Sequence, residues 1–163
     1  MADTIVIGVG ELAASRTPGT VLKTFALGSC VAVVLLDPRT RSVGMVHVAL
    51  PSSDISPERV QDRPGYFADT GIPALVQAMR GVGAAGLPAG LIVKLAGGAN
   101  VLDPNNTFNI GKRNILAVKK ILWGFGMGPR AEDVGGHISR TVSVAVDTGA
   151  VILSSHAKGE WRL

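Results

Sequence analysis

Residues 31–50 read VAVVLLDPRTRSVGMVHVAL, and this stretch decides the fold expected for the chain. Its first part, Val31–Leu36, is a continuous apolar run that is too short for a helix and typical of a strand buried on both faces. Asp37 and Pro38 then open a turn, because aspartate caps such a turn and proline fixes the backbone at its second position. A second apolar run, Val43–Leu50, leads back and stops at a proline. The stretch therefore predicts an antiparallel hairpin.

Other short apolar runs surround this hairpin, and they predict further strands. Two stretches instead show apolar residues at helical spacing, which predicts two main helices. The expected strands are Thr4–Gly8, Leu22–Leu27, Leu91–Leu95 and a final hairpin in which Val142, Val144 and Val146 alternate before Val151 and Leu153. The expected helices run from Asp69 to Gly81, with Ile72, Leu75, Val76 and Met79 facing inward, and from Arg113 to Trp123, with Ile115, Val118 and Leu122 facing inward.

Strands outnumber helices in this pattern, and they come in hairpins instead of alternating with helices. We therefore expect an α/β (α+β) layered sandwich, with largely antiparallel mixed β-sheets flanked by two main helices. No internal repeat, low-complexity tract or linker divides the 163 residues. Residues 1–163 are accordingly expected to form a single domain.

The composition narrows the function classes. Charged residues make up only 17% of the chain, a low share that raises the question of a membrane span. However, no apolar stretch approaches the roughly 18 residues that such a span needs. The first residues, Met1–Thr4, lack the basic and apolar regions of a secretory signal. We expect a cytoplasmic protein without membrane insertion. The net charge is +4, yet the basic residues are scattered and aromatic residues are 4%, which argues against nucleic-acid binding and suits an acidic protein partner.

Motifs for cofactors and metals fail on inspection. Gly8 and Gly10 follow a strand without the third glycine of a dinucleotide-binding turn, and Gly111–Lys112 lacks the serine or threonine of a phosphate-binding loop. The three histidines are far apart, and none has a metal-ligand neighbour at helical or hairpin spacing. No metal and no organic cofactor are expected.

The chain has one cysteine, Cys30, at the start of the predicted hairpin. A turn about Pro38 and Arg39 would place Cys30 directly opposite His47, with Cβ atoms about 4.5–5.5 Å apart. A neighbouring imidazolium lowers the pKa of a cysteine and makes it a nucleophile. Gly28 and Ser29 would let the backbone turn sharply and leave amide N–H groups for an oxyanion.

A third group usually orients the histidine of such a pair, and Thr24 on the preceding strand is a candidate. The residues alone also fit a plainer interpretation. A lone cysteine beside a valine and leucine run is most often a small core residue, and a histidine between valines is most often buried with a backbone partner. Pattern alone leaves both interpretations open.

Six blocks of the sequence resemble, in order, the CheD family of bacterial chemoreceptor glutamine deamidases. They span nearly the whole chain, about residues 5–155, and each is weak by itself. The blocks are Leu27–Val31, His47–Pro51, Tyr66–Thr70, Gly97–Ala99, Ile110–Asn114 and Glu132–Gly136.

The resemblance implies an enzyme that hydrolyses the side-chain amide of specific receptor glutamines to glutamate and ammonia. Some members of the family are also credited with removing receptor glutamyl methyl esters. The family's catalytic cysteine, histidine and threonine correspond to Cys30, His47 and Thr24. The resemblance also implies a layered α/β sandwich related to toxin-type cysteine deamidases, and as partners the helical cytoplasmic domain of a chemoreceptor and a CheC-type phosphatase.

Two further expectations go with this interpretation. Gly97, Gly98 and the Asn105–Asn109 segment are candidates for a substrate loop, although structural turns are the more common explanation for such segments. The alternative function is a regulatory module that binds and stimulates the CheC-type phosphatase, with Cys30 as a core residue.

Overall fold

The computed structural model describes residues 3–85, 88–102, 105 and 108–163. Two five-stranded sheets form within these ranges. The strands are β1 (Asp3–Val6), β2 (Leu12–Ser15), β3 (Thr20–Leu27), β4 (Val31–Asp37), β5 (Ser42–Val48), β6 (Ile92–Gly97), β7 (Pro129–Val134), β8 (Arg140–Ala145), β9 (Val151–Ser155) and β10 (Gly159–Arg162). The helices are α1 (Arg59–Asp62), α2 (Ala68–Gly81) and α3 (Ile110–Gly124), with short 3-10 turns at Ser53–Ile55 and Pro64–Tyr66.

The first sheet has the strand order β1-β3-β8-β9-β10, and the second has the order β2-β5-β4-β6-β7. Most neighbouring strands are antiparallel, but β1 pairs with β3 and β6 pairs with β7 in parallel. This architecture confirms the predicted α/β class, with largely antiparallel mixed sheets and two main helices. The sheets account for the high strand content that the hairpin pattern indicated.

Strand β4 lies at the centre of the molecule, and every residue in it is buried. Val31, Val33 and Leu35 face the core formed with α2 and α3. The alternate residues Ala32 and Val34 face the core between the two sheets. The continuous apolar run in the sequence therefore reflects burial on both faces, as the sequence predicted.

The predicted central hairpin is confirmed, but its predicted register is wrong by two residues. Ala32, not Cys30, is the partner of His47. The last pair before the turn is Asp37 with Ser42, so four residues form the loop. The Asp37 side chain accepts hydrogen bonds from the Arg39 N–H (3.1 Å) and the Thr40 hydroxyl (3.0 Å).

This wider loop ends at Arg41, whose φ of 54° lies in the left-handed region. The register change leaves the faces intact, because side chains alternate with a period of two. Cys30 consequently still packs at the edge of the core between the sheets, one residue before the Val31–Val48 pair that begins β4.

The sequence predicts the outer helices and strands less accurately than the central hairpin. Both main helices form, but α3 begins at Ile110, three residues before its predicted start. The sequence did not predict β2, β7 or β10. These are edge strands with mostly half-buried or exposed residues, so they lack the apolar runs that mark central strands. Among the described residues, no helix is both long and apolar enough to span a membrane.

Candidate active site

His47 on β5 and Thr24 on β3 meet across the space between the two sheets. The Thr24 hydroxyl lies 2.7 Å from His47 Nδ1 and donates a hydrogen bond to the Ile7 carbonyl at 2.6 Å. Thr24 is fully buried, and His47 is 4% exposed. A hydroxyl group has one proton to donate, and here Thr24 donates it in the hydrogen bond to the Ile7 carbonyl. His47 must therefore donate its own Nδ1 proton to Thr24.

This arrangement fixes the tautomer of His47 and leaves the Nε2 lone pair as the basic site. Nε2 is buried and has no hydrogen-bond partner in the part of the chain that the structure describes. Burial lowers the pKa of His47 from 6.5 to about 4, because the apolar surroundings disfavour the imidazolium. The side chain is thus a neutral, oriented base at neutral pH.

Cys30 lies at the same end of the hairpin, immediately before β4. It is half-buried and is a free thiol. Burial raises its pKa above the ordinary cysteine value. The sequence had suggested a cysteine with a lowered pKa beside an imidazolium. The structure instead combines a neutral thiol with a neutral imidazole, because desolvation is the largest influence on both groups.

The cysteine loop, residues 28–30, has all three of its carbonyl groups hydrogen-bonded to the scaffold behind it, which consists of residues 98–99 and helix α3. The Gly28 carbonyl accepts from the Ala99 N–H, and the Cys30 carbonyl accepts from the Gly98 N–H, both at 2.8 Å. The Ser29 carbonyl accepts from the Asn114 side chain at 2.9 Å. In a planar trans peptide the N–H points opposite to the carbonyl. The N–H groups of Ser29 and Cys30 are therefore directed away from that scaffold, and neither donates to any described residue.

Asn114 is a buried amide in the apolar face of α3. Its Nδ2 donates to the Ser29 carbonyl at 2.9 Å and to the Ala49 carbonyl at 3.0 Å. Its Oδ1 is buried without a hydrogen-bond partner among the described residues. An unpaired buried acceptor costs about 1–3 kcal/mol. The sequence did not predict a role for Asn114, although an asparagine among Gly111, Val118 and Leu122 on a buried helix face was a signal for one.

Gly97 and Gly98 form a strap behind the cysteine. Their φ angles of 108° and 64° are left-handed, and a Cβ on Gly97 would collide with the Cys30 carbonyl oxygen. The Gly97 carbonyl accepts from the Gly135 N–H at 2.9 Å and lies 3.5 Å from the Arg140 guanidinium. These contacts hold the main chain of Cys30 in place. The substrate-loop role expected for this strap stays a prediction.

Arg140 connects the strap to the rest of the molecule. It is 5% exposed, and its Nε donates to Asp133 at 2.8 Å. The other oxygen of Asp133 accepts from the Trp161 indole N–H at 2.8 Å. Because Asp133 belongs to β7 and the other two residues belong to β8 and β10, this network joins the two sheets beside the site.

An apolar cleft of about 430 Å³ opens next to the cysteine loop. Gly28 and Ser29 form one wall, while Val101, Leu102 and Phe108 contribute apolar side chains. Leu102 is 94% exposed and Phe108 is 69% exposed. Asn106 and Thr107, which belong to the predicted Asn105–Asn109 substrate loop, lie outside the described residues. Of the predicted loop residues, Gly28, Ser29, Phe108 and Asn109 line the cleft, and the two strap glycines do not.

The fold and this site together describe a class of protein: a two-sheet α/β protein that carries a half-buried cysteine and a threonine-oriented histidine at the same end of its central hairpin. No three histidine, cysteine, aspartate or glutamate side chains within the described ranges form a group that could hold a metal ion. The family described as CheD chemotactic sensory transduction matches residues 49–155. The chain belongs to the CheD family.

Three relatives show how far the similarity extends. A protein of Syntrophotalea carbinolica, named probable chemoreceptor glutamine deamidase CheD, is 54% identical over the whole length of both chains. A protein of the same name from Solibacter usitatus is 44% identical over 96% of this chain and 91% of its own. The chemoreceptor glutamine deamidase CheD of Thermotoga maritima is 41% identical over 95% of this chain and 94% of its own. These matches include the segment from Thr24 to His47 that precedes the family match.

Proposed function

We propose that this protein hydrolyses the side-chain amide of glutamine residues in chemoreceptors, producing glutamate and ammonia, with Cys30 as nucleophile and His47 as base. The observation that carries the proposal is the contact between Thr24 and His47, because it presents a neutral imidazole with a free basic nitrogen at the end of the hairpin where Cys30 lies. The names of the full-length relatives supply the substrate.

Proton transfer accompanies nucleophilic attack in this mechanism. Both groups are neutral at rest, so Nε2 of His47 takes the thiol proton as Sγ attacks the amide carbon. The developing oxyanion accepts hydrogen bonds from the N–H groups of Ser29 and Cys30, each worth roughly 3 kcal/mol in a comparable oxyanion hole. The imidazolium then protonates the leaving nitrogen, ammonia departs, and a thioester remains on Cys30.

Water completes the reaction. His47 Nε2 removes a proton from water, the resulting hydroxide attacks the thioester carbon, and the imidazolium returns the proton to the departing thiolate of Cys30. The product is the glutamate side chain. A receptor glutamyl methyl ester fits the same steps, with methanol in place of ammonia as the leaving group. No metal or organic cofactor takes part in this proposal.

The partners and the setting belong to the same proposal. The apolar cleft beside Gly28 and Ser29, with its exposed Leu102 and Phe108, suits a protein surface better than a small polar substrate. We assign this cleft to the cytoplasmic helical domain of a chemoreceptor. A CheC-type phosphatase is the second partner that we propose, on the family resemblance. We also propose that residues 1–163 act as one cytoplasmic domain, related in fold to toxin-type cysteine deamidases.

The deciding experiment measures ammonia release and glutamate formation on a purified receptor fragment. Cys30→Ala and His47→Ala are expected to abolish both, while His156→Ala, which changes an exposed histidine, is expected to retain wild-type activity. Glutamate formation at the wild-type rate by Cys30→Ala would overturn the enzymatic proposal. Stimulation of a CheC-type phosphatase by wild type and Cys30→Ala alike, with no deamidation by either, would favour the regulatory alternative.

A further inference from the structure

We propose that Asn114 is a positioning residue that orients the oxyanion-binding N–H of Cys30 and fixes the cysteine loop relative to the strand of His47. This inference deepens the function proposed above and rests on it. It concerns a residue of α3 that lies outside the Cys30, His47 and Thr24 set.

The two hydrogen bonds of Asn114 connect the two sides of the site. One goes to the carbonyl immediately before the nucleophile, and the other goes to Ala49, two residues after the base. One rigid planar amide therefore links the loop of Cys30 to the end of β5. No other described side chain hydrogen-bonds both segments.

The hydrogen bond to Ser29 also sets the direction of a catalytic donor. The Ser29 carbonyl and the Cys30 N–H belong to the same planar peptide and point in opposite directions. When Asn114 holds the carbonyl toward α3, the Cys30 N–H is turned away from the helix. Without that bond, the peptide could rotate toward the strap or toward solvent, and the donor would lose the direction that an oxyanion requires.

The burial of Asn114 supports a use for its amide beyond packing. Asn114 is fully buried on a helix face whose other buried side chains are apolar. An apolar side chain of similar size would fill the space without leaving Oδ1 unpaired. The amide supplies what an apolar residue lacks, two N–H donors on one nitrogen.

Close packing holds the helix itself in position. A Cβ on Gly111 would collide with the Gly98 carbonyl oxygen and would come within 2.7 Å of the Ala99 carbonyl oxygen. The first turn of α3 therefore sits directly against the glycine strap. Asn114, one turn further along, is carried by a helix that packs directly against the strap behind Cys30.

The test compares deamidation with alkylation of Cys30 in the same variants. Asn114→Asp keeps the shape of the side chain and removes its nitrogen. We expect kcat for the receptor fragment to fall about 100-fold with KM unchanged, the usual scale for loss of an oxyanion donor. Alkylation of Cys30 by iodoacetamide displaces iodide and forms no oxyanion, so its rate is expected to stay close to that of wild type.

Two further variants separate positioning from stability. Val118→Ala removes buried volume from the same face of α3, and at a comparable loss of melting temperature it is expected to retain kcat. Asn114→Gln keeps both donors on a longer arm, so it should be more active than Asn114→Asp even where it melts lower. Parallel losses of deamidation and alkylation, or an equal loss of kcat in Val118→Ala, would overturn the inference.

A different result would overturn the proposed function itself. If Cys30→Ala deamidates the receptor fragment as fast as wild type, the cysteine chemistry is wrong whatever Asn114 does. If Cys30→Ala is inactive and Asn114→Asp keeps full kcat, the chemistry stands and the positioning role of Asn114 is wrong.

Discussion

The pKa of His47 makes a quantitative prediction about the stability of the protein in acid. The folded protein holds His47 with a pKa of about 4, against 6.5 for an ordinary histidine. Between these two values the unfolded chain binds a proton that the folded chain does not, so stability falls as the pH falls. Each pH unit in this window costs about 1.4 kcal/mol, and the whole window costs about 3 kcal/mol. Above pH 6.5 both states carry a neutral imidazole and the contribution disappears.

The measurement is urea denaturation at pH 7.0, 5.5 and 4.0 for wild type and for His47→Asn, whose amide can still donate to the Thr24 hydroxyl. All other ionisable groups are common to both proteins, so their contributions cancel in the difference. We expect wild type to lose about 3 kcal/mol more than the variant between pH 7 and pH 4. Equal losses in the two proteins would refute the reasoning and would mean that His47 is protonated, or solvated, in the folded state.

Two further predictions concern the strap and the thiol. Gly97→Ala is expected to lower the free energy of unfolding by more than about 1 kcal/mol, because its Cβ would collide with the Cys30 carbonyl and its φ is 108°. The matched Gly81→Ala, in the last turn of α2 with nothing within 4 Å of the added carbon, should be neutral or stabilising in the same thermal melts, and similar losses in both would contradict this. The rate of Cys30 alkylation by iodoacetamide should rise with pH to a midpoint above that of a free cysteine, because burial raises the pKa of the thiol; a midpoint below pH 7 would contradict the structure.

The core of the fold was predictable because buried strands and helices have recognisable apolar patterns in the sequence. The apolar run of β4 and the return strand β5 are buried on both faces, and only a central strand pair needs so many apolar residues in succession. The helix α2 likewise follows from the spacing of Ile72, Leu75, Val76 and Met79, all of which are buried. The edge strands β2, β7 and β10 were not predictable in this way, since most of their residues are half-buried or exposed and form no continuous apolar run.

The sequence suggested the residues of the proposed site, but it did not predict their geometry. Because side chains alternate along a strand, the predicted hairpin placed Cys30 and His47 on one face. A two-residue error in register leaves that shared face unchanged. The error arose in the turn, where the Asp37 side chain caps the chain and Arg41 adopts a left-handed conformation. Residue spacing does not report either feature.

The sequence by itself determined the central hairpin, the two main helices, the cysteine, histidine and threonine of the proposed site and the resemblance to the CheD family. Only the tertiary structure decided how these groups are oriented and charged. Thr24 reaches His47 because two different sheets pack together, and Asn114 reaches the cysteine loop from 85 residues further along the chain. Burial in that packed interior then keeps both the thiol and the imidazole neutral, and burial depends on every neighbour in three dimensions and not on adjacent residues in the sequence.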